Sequence, residues 1–438
     1  MGNKILYNKK MEGFQMDINT ILSGVDCTCG RKHECDISYV YVEKDAMKHL
    51  ENICRGYQKI LIVADENTYG AAGAKTEKYI SEKSVRKVIF PAKPLLIPNE
   101  DAIKTVTDNL SDTDLIIGIG SGVIQDLCKY VSNEQKIPYC VVATAPSMDG
   151  YASSGAAMIT DGMKVTYSAR VPYAIIADTE VIKDAPIEMI KAGYGDIIGK
   201  YSALNDWKLG ALVNGEYFCS YIYELTYDML LKVLPLAEKL LKRDEESVKT
   251  LMEALILVGI AMSFAGNSRP ASGSEHHLSH YFEITGIVDG TDYLPHGIDV
   301  VYSTVITSML REKIKRAPLP KKQFTMPENY RNSEISRVYK SVADGCIALQ
   351  EKLGTYNDNR LERYVKNEAG IKEILAEAPT ADQIISILDG IGLDLNEFYK
   401  TYSNAKIRDA VRYAKDLKDR YTVLWMYYDI FGIEDYDL

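Results

Sequence analysis

Histidine is scarce in this chain, six residues in 438, and four of the six fall between His276 and His296. Cysteine is scarce too: eight residues cannot supply the disulfide framework that holds small secreted domains together. Positive charge is in deficit, with 51 Lys and Arg against 61 Asp and Glu and a formal net charge of −10. That balance excludes nucleic acid as the principal partner, because such proteins carry a basic footprint. A small phosphorylated ligand stays compatible, since it needs only a local cluster of donors. Long hydrophobic runs are absent as well. The longest, Leu255 to Ala265, is interrupted by Gly259 and Ser263 and falls short of the roughly 20 apolar residues of a membrane span. It reads as a buried helix. Residues 1–19 hold Lys4, Lys9 and Lys10 but no apolar core, so no secretory signal, no membrane insertion and a cytoplasmic location are expected.

What is present is the composition of a globular protein, 46% hydrophobic and 26% charged, at a length that suggests about two domains. Between Lys59 and Asp178, short β-branched runs alternate with amphipathic stretches. The runs Ile60–Ala64, Lys87–Phe90, Leu115–Gly118, Tyr139–Val142 and Ala174–Ala177 read as strands buried on both faces. Segments such as Glu100 to Leu110 and Gly122 to Val131 read as covering helices. This rhythm predicts a parallel, Rossmann-like sheet. Asp161-Gly162 between apolar flanks signals a hairpin. After Pro186 the strand-like runs stop, and helical patterns cover Glu188 to Leu209, Tyr217 to Lys242 and Glu246 to Ala265. The tail around Arg420 to Trp425 reads as packed helix. An α/β domain over residues 1–185 followed by an all-helical domain over 186–438 is therefore expected.

Five cysteines, Cys54, Cys128, Cys140, Cys219 and Cys346, are scattered and read as small core residues. The remaining three cluster as Cys27-Thr-Cys29-Gly-Arg-Lys-His33-Glu-Cys35, four soft ligands in nine residues. A structural zinc uses such ligands, but the paired CxxC knuckles are missing and a hairpin turn at Gly30 accounts for the run. The turn is the reading adopted.

Leu115-Ile-Ile-Gly-Ile-Gly-Ser-Gly-Val-Ile-Gln-Asp126 runs from a strand through a glycine turn into a helix. Gly118, Gly120 and Gly122 let backbone approach a ligand, and the N–H groups that open the helix face an anion. The spacing is neither GxGxxG nor a P-loop, yet it has the physics of a dinucleotide pyrophosphate site. A second loop, Ala143-Thr-Ala-Pro-Ser-Met-Asp-Gly-Tyr-Ala-Ser153, leaves the carboxyl end of the next strand, where open α/β sheets bind ligands. Asp149 there suits a substrate hydroxyl, and Asp65, ending an earlier strand, suits a ribose diol.

The clustered histidines point to a metal. In Gly273-Ser-Glu275-His-His-Leu-Ser-His280, His276 and His280 share one helix face, with His277 turned about 100° away. His296 opens a further helix in Leu294-Pro-His-Gly297. The acidic candidate is Asp196 in Gly193-Tyr-Gly-Asp196, since a carboxylate in an apolar helix needs a charged partner. Two imidazoles and a carboxylate leave a divalent ion an open position for substrate.

Together, the glycine turn ending at Asp126, Thr144-Ala-Pro-Ser-Met-Asp-Gly150, Gly193-Tyr-Gly-Asp196 and Ser268-Arg-Pro-Ala-Ser-Gly-Ser-Glu-His276 resemble the sn-glycerol-1-phosphate dehydrogenases of the bacterial AraM type. These lie within the superfamily of iron-containing alcohol dehydrogenases, glycerol dehydrogenases and dehydroquinate synthases. The resemblance covers most of the chain, from Cys27-Thr-Cys-Gly-Arg-Lys-His33 to Arg420-Tyr-Thr422. It implies a dehydroquinate synthase-like fold and reduction of dihydroxyacetone phosphate to sn-glycerol 1-phosphate by NADH or NADPH. Metal ligands would be Asp196, His276 and His296, holding zinc or nickel, with iron the alternative. His280 would contact substrate and relay a proton, and Asp149 and Asp196 would touch substrate. Nucleotide would lie on Asp65, on Gly120, Ser121, Gly122, Val123, Ile124, Gln125 and Asp126, and on Thr144, Ala145, Pro146, Ser147 and Ser153. Two positions depart from the family: the turn reads Gly-Ser-Gly rather than Gly-Gly-Gly, and Met148 replaces a polar residue. For the substrate phosphate, Arg269 and Lys200 are candidates on charge and position. A homodimer is expected as the commonest oligomer. The alternatives are a dehydrogenase of unphosphorylated polyols and a dehydroquinate synthase-like lyase.

Overall fold

The computed structural model describes residues 18–160 and 163–433. A two-stranded hairpin, β1 (Val25–Asp26) and β2 (Lys32–His33), precedes β3 (Tyr39–Glu43), β4 (Lys59–Asp65), β5 (Ser84–Phe90), β6 (Leu115–Gly120) and β7 (Tyr139–Ala143). A second hairpin, β8 (Gly155–Thr160) and β9 (Met163–Ser168), comes before β10 (Ala174–Asp178). The expected turn at Asp161-Gly162 lies outside the described residues. Six strands form one sheet in the order β3-β10-β7-β6-β4-β5, and every neighbouring pair is parallel. Sequence reading found five of the six. It missed β3, whose burial alternates between half-buried and buried at the sheet edge, so its Tyr-Val-Tyr-Val-Glu text is not a continuous apolar run.

The strand order reverses between β4 and β6. Leu61 and Val63 of β4 join the core on one face, with Ile124, Leu127 and Val131 of the helix after β6. Ile60, Ile62 and Ala64 face the other way, with Ala72 of the helix after β4. The two helices thus leave on opposite faces and open a crevice at the carboxyl edge, the place where such sheets take ligands. One sheet face shares a continuous hydrophobic core with the helices that follow Pro186.

Those helices begin with Ile187–Asn214, followed by Glu245–Ala265, Ser274–Asp289 and His296–Arg316. The expected helix from Tyr217 to Lys242 is broken into Ser220–Val233, a 3-10 turn at Leu234–Leu236 and Ala237–Leu241. Pro235 explains the break, since it lacks an N–H and its ring clashes with the preceding turn. Glu245–Ala265 is long and apolar enough to cross a membrane by composition alone, but 78% of its apolar window is buried within the protein. The tail forms the expected helix, Val423–Phe431. Asp206 ties these parts together: Oδ2 accepts from Ser274 N at 2.7 Å, Oδ1 accepts from Val423 N at 2.9 Å, and Arg311 pairs with it at 3.0 Å.

Glycines let the Ile187–Asn214 helix touch its neighbours backbone to backbone. A Cβ on Gly193 would stand 1.8 Å from the Pro146 carbonyl oxygen, and one on Gly297 would stand 1.9 Å from that of Ala192. These contacts bring the Thr144–Ser147 loop and the His296 helix against Asp196. Gly193→Ala should therefore cost at least the 1–3 kcal/mol typical of overpacking, roughly. Gly70→Ala, on an exposed helix position with open space around it, should be neutral or gain up to about 1 kcal/mol. Thermal unfolding of both variants checks this; equal melting temperatures would contradict the close contact.

Candidate active site

Asp196 is fully buried on Ile187–Asn214, His276 and His280 lie one turn apart on Ser274–Asp289, and His296 is the first residue of its helix. One carboxylate oxygen of Asp196 and one ring nitrogen from each of His276 and His296 lie within 4.8 Å of one another. His276 Nε2 stands 3.6 Å from Asp196 Oδ1. Its Nδ1 bonds Glu275 Oε1 at 2.7 Å, and that oxygen also accepts from Gly273 N at 2.9 Å. The proton is thereby fixed on Nδ1 and the lone pair of Nε2 is aimed at Asp196, the usual bracing of a metal-binding histidine. The His280 ring lies 5.5 Å from that of His296 and is partly exposed.

Lys200 Nζ sits 2.7 Å from Asp196 Oδ1, 2.6 Å from Asp149 Oδ2 and 3.0 Å from the Ala271 carbonyl oxygen. Burial on its own would raise the Asp196 pKa, but the Lys200 ammonium above all outweighs it and holds the carboxyl down at about 2. Burial and the Asp196 charge push Asp149 the other way, up. Burial, reinforced by neighbouring cations, keeps the His280 and His296 imidazoles well below their usual range. They are neutral, the form that ligates metals. One ionised carboxylate with two nitrogen donors fits a divalent ion of the zinc or nickel class, with coordination positions left over.

The glycine turn lies at the sheet crevice. Strand β6 is buried throughout, Ser121 precedes the helix Gly122–Gln135, and a Cβ on Gly122 would meet nothing nearer than Met148 Cγ at 3.9 Å. That open space in front of helix N–H groups is what a pyrophosphate needs. Thr144, Ala145, Pro146 and Ser147 follow β7 at the same edge. Lys129 Nζ braces the loop beyond them, donating to Gly150 O at 2.8 Å, Gly155 O at 2.9 Å and Ser153 Oγ at 3.3 Å.

A sequence profile described as iron-containing alcohol dehydrogenase matches residues 41–186. A glycerol-1-phosphate dehydrogenase [NAD(P)+] of Halalkalibacterium halodurans is 34% identical over 65% of this chain and 73% of its own length. The chain belongs to the glycerol-1-phosphate dehydrogenase family. A relative of the same name from Geobacillus stearothermophilus is 28% identical over 93% of this chain and 96% of its own. Among solved structures, a probable glycerol dehydrogenase of Sinorhizobium meliloti superposes with a TM-score of 0.59 at 16% identity, covering 86% of this chain and 89% of that one. A sulfoacetaldehyde reductase of Bifidobacterium kashiwanohense, solved with NAD+, gives 0.57 at 13% identity, covering 90% and 97%. Both share the fold.

Within this member of the glycerol-1-phosphate dehydrogenase family, several expected residues are employed otherwise than the sequence suggested. Lys200 uses its three donors on Asp149, Asp196 and Ala271, leaving none for a phosphate. Arg269 is buried and clamped on Glu216, at 2.8 Å from Nε and 2.5 Å from Nη2, with Tyr421 O at 2.6 Å. Gln125 points back beneath the turn, donating to Gly118 O and Gly120 O at 3.3 Å. Ile124 is packed into the core, so it and Gln125 offer a ligand only backbone. Asp65 Oδ1 caps the helix Glu66–Tyr79, accepting from Asn67 N at 2.8 Å and Thr68 N at 3.0 Å. Asp126 is a largely covered carboxyl 3.5 Å from Lys129. Val123 is half-buried at the helix start.

Three residues were missed. Glu275 braces His276, although neighbours in a helix do not normally face each other. Lys164 and Lys418 lend positive charge to His280, and Lys418 forms no ion pair among the described residues. Nothing local in the sequence marks them, because they converge from a hairpin strand and a tail more than two hundred residues apart. Asp196→Ala should abolish activity and lose one equivalent of metal; an unchanged metal content would refute the ligand set. Glu275→Gln should weaken metal binding by about 10- to 100-fold, measured by competition with a chelator. His277, buried without ring hydrogen bonds, should matter less: activity lost equally in His277→Ala and His276→Ala would contradict the arrangement.

Proposed function

We propose that this chain reduces dihydroxyacetone phosphate to sn-glycerol 1-phosphate with NADH or NADPH, in the cytoplasm and as a homodimer. Family membership makes it an NAD(P)-dependent oxidoreductase. The observation that carries the substrate reading is a group of cations beside the histidines. Lys418 is pushed down to about 8 by burial and by the neighbouring charges of Arg420 and Lys164. Arg420 likewise falls to about 10, from burial and then Arg269. Its Nη1 is held by Ser268 Oγ at 3.0 Å and Ser272 O at 3.2 Å, and its nearest carboxylate, Asp419, is 3.8 Å away. Lys164 is paired with Glu283, but Lys418 has no ion pair among the described residues and Arg420 only its distant contact with Asp419. A phosphate dianion is the ligand that supplies a counter-ion.

In this reading residues 1–185 hold the nucleotide and residues 186–438 hold metal and substrate. The Gly120–Gly122 turn with the N–H groups of Val123 and Ile124 takes the pyrophosphate, and Thr144–Ser147 line the crevice toward the nicotinamide. Asp196, His276 and His296 hold the ion. When bound, the ion supplies Lewis acidity to the ketone carbonyl, and the reduced nicotinamide supplies hydride. Asp149, kept in place by Lys200, accepts a hydrogen bond from the substrate hydroxyl. His280 is neutral and partly exposed, so it releases the proton on one ring nitrogen toward the product oxygen while taking another from water at the opposite nitrogen. Lys418 and Arg420 fix the phosphate, with the Lys164–Glu283 pair beside them, so that the carbonyl is held in register instead of arriving by random encounter.

NADH oxidation should follow addition of dihydroxyacetone phosphate, with kcat/KM well above that for dihydroxyacetone. Preference for the bare ketone would favour an unphosphorylated polyol, and turnover without net NADH oxidation would favour a lyase. Lys418→Ala should cost about 1.5–3 kcal/mol, roughly 10- to 100-fold in kcat/KM, for the phosphorylated ketone alone. Because a lysine titrating near 8 loses its charge as pH rises, kcat/KM for the phosphorylated ketone should fall above about pH 8 while that for dihydroxyacetone does not. A decline shared by both ketones would remove Lys418 from the phosphate site.

A further inference from the structure

The chain carries a second group of metal-binding side chains, unconnected to Asp196. Cys27, Cys29, His33 and Cys219 each offer one ligand atom, all within 4.8 Å of one another. Cys35, expected from the sequence to belong with the first three, is not among them. Its place is taken by Cys219, which the sequence offered only as a core residue and which arrives from the far side of the chain. We propose that these four residues bind a structural divalent ion of the zinc class, closed to substrate, that fastens the N-terminal hairpin to the helical half of the protein.

Three of the six distances between these atoms match the edges of a tetrahedral zinc site, and the other three are within 4.8 Å. Cys27 Sγ and Cys219 Sγ are 3.6 Å apart, Cys29 Sγ and His33 Nε2 are 3.5 Å apart, and Cys219 Sγ and His33 Nε2 are 3.4 Å apart. Zinc–sulfur bonds of about 2.3 Å and zinc–nitrogen bonds of about 2.0–2.1 Å, set at the tetrahedral angle, give edges of about 3.8 Å between sulfurs and about 3.6 Å from sulfur to nitrogen. The observed edges differ from these by about 0.2 Å or less, with no ion required to shape them. The cysteines are free, and a sulfur pair at 3.6 Å is not a disulfide, whose bond is about 2.05 Å.

The surroundings fit a thiolate centre. Gly30 follows Cys29 with φ +84 and turns the chain, so that β1 and β2 return His33 to a position opposite Val25. The His33 ring is buried and stacks against Tyr221 at 6.0 Å and Phe264 at 5.4 Å, which restricts its orientation. Cys219 stands at the N-cap of the 14-residue helix Ser220–Val233, where the dipole favours negative sulfur. Tyr217 Oη lies 3.3 Å from Cys29 Sγ, and the Arg31 guanidinium covers the Tyr217 ring at 3.6 Å. Three thiolates and an imidazole around a divalent ion carry one net negative charge, and Arg31 answers it. A hairpin of two-residue strands is marginal unaided. An ion that also holds Cys219, 186 positions beyond His33, supplies the anchor the hairpin lacks.

Cobalt(II) reconstitution of the full chain tests this. Wild-type protein, and equally Asp196→Ala with its other cluster disabled, should show thiolate-to-cobalt charge-transfer absorption and strong tetrahedral d–d bands. Cys219→Ala should lose that spectrum and one equivalent of zinc, while Cys35→Ala keeps both. Should Cys219→Ala fail to fold, thiol labelling of the wild type decides: Cys27, Cys29 and Cys219 should resist modification until a chelator is added. Absence of thiolate charge transfer, zinc content unchanged in Cys219→Ala, labelling indifferent to chelator, or a Cys27–Cys219 disulfide in the native protein would each overturn the proposal.

Discussion

Everything at the catalytic crevice depends on one buried charge. Asp196 has no access to solvent, and an isolated carboxylate there would be expelled or protonated. It stays ionised because the Lys200 ammonium, one turn along the same helix, sits 2.7 Å away. Breaking such a buried pair costs about 3–5 kcal/mol, because one charge is left uncompensated. The same lysine reaches Asp149 on the loop after β7. A single ammonium thus couples the loop after β7 to the helices, and the sheet crevice and the histidine cluster become parts of one geometry.

Close backbone contact makes that coupling rigid. Gly193 leaves no room for a side chain where the Ile187–Asn214 helix meets the Pro146 loop, nor does Gly297 where the His296 helix meets the Ala192 carbonyl. Glycine here is selected by distance, not by turn conformation. Asp206, six residues beyond Lys200 on the same helix, anchors the start of the histidine helix at Ser274 and the start of the tail helix at Val423. The Ile187–Asn214 helix is therefore the element on which both histidine helices and the cationic tail are aligned.

Much of this was legible in the sequence because it was local. Apolar runs gave five sheet strands, the glycine turn marked the crevice, and His276 and His280 one turn apart marked a helix face. Asp196 stood out as a carboxylate that an apolar helix has no reason to keep. What escaped was set by long-range convergence. Lys418 and Lys164 are ordinary surface-type residues until the fold brings their charges together. Cys219 reads as a core cysteine until the hairpin containing Cys27 packs against it. Lys200 and Arg269 were assigned to phosphate on charge and position in the sequence, whereas the fold had already matched each to a carboxylate. Charge in a sequence tells what must be paired; only the packing tells with what.

The central claim is that Asp196, His276 and His296 converge on one ion. Anomalous diffraction from crystals of the protein loaded with nickel or zinc measures this directly. A peak at bonding distance from the Asp196 carboxylate, His276 Nε2 and a His296 ring nitrogen is expected. Full occupancy elsewhere, with these three side chains free of metal, would contradict the account.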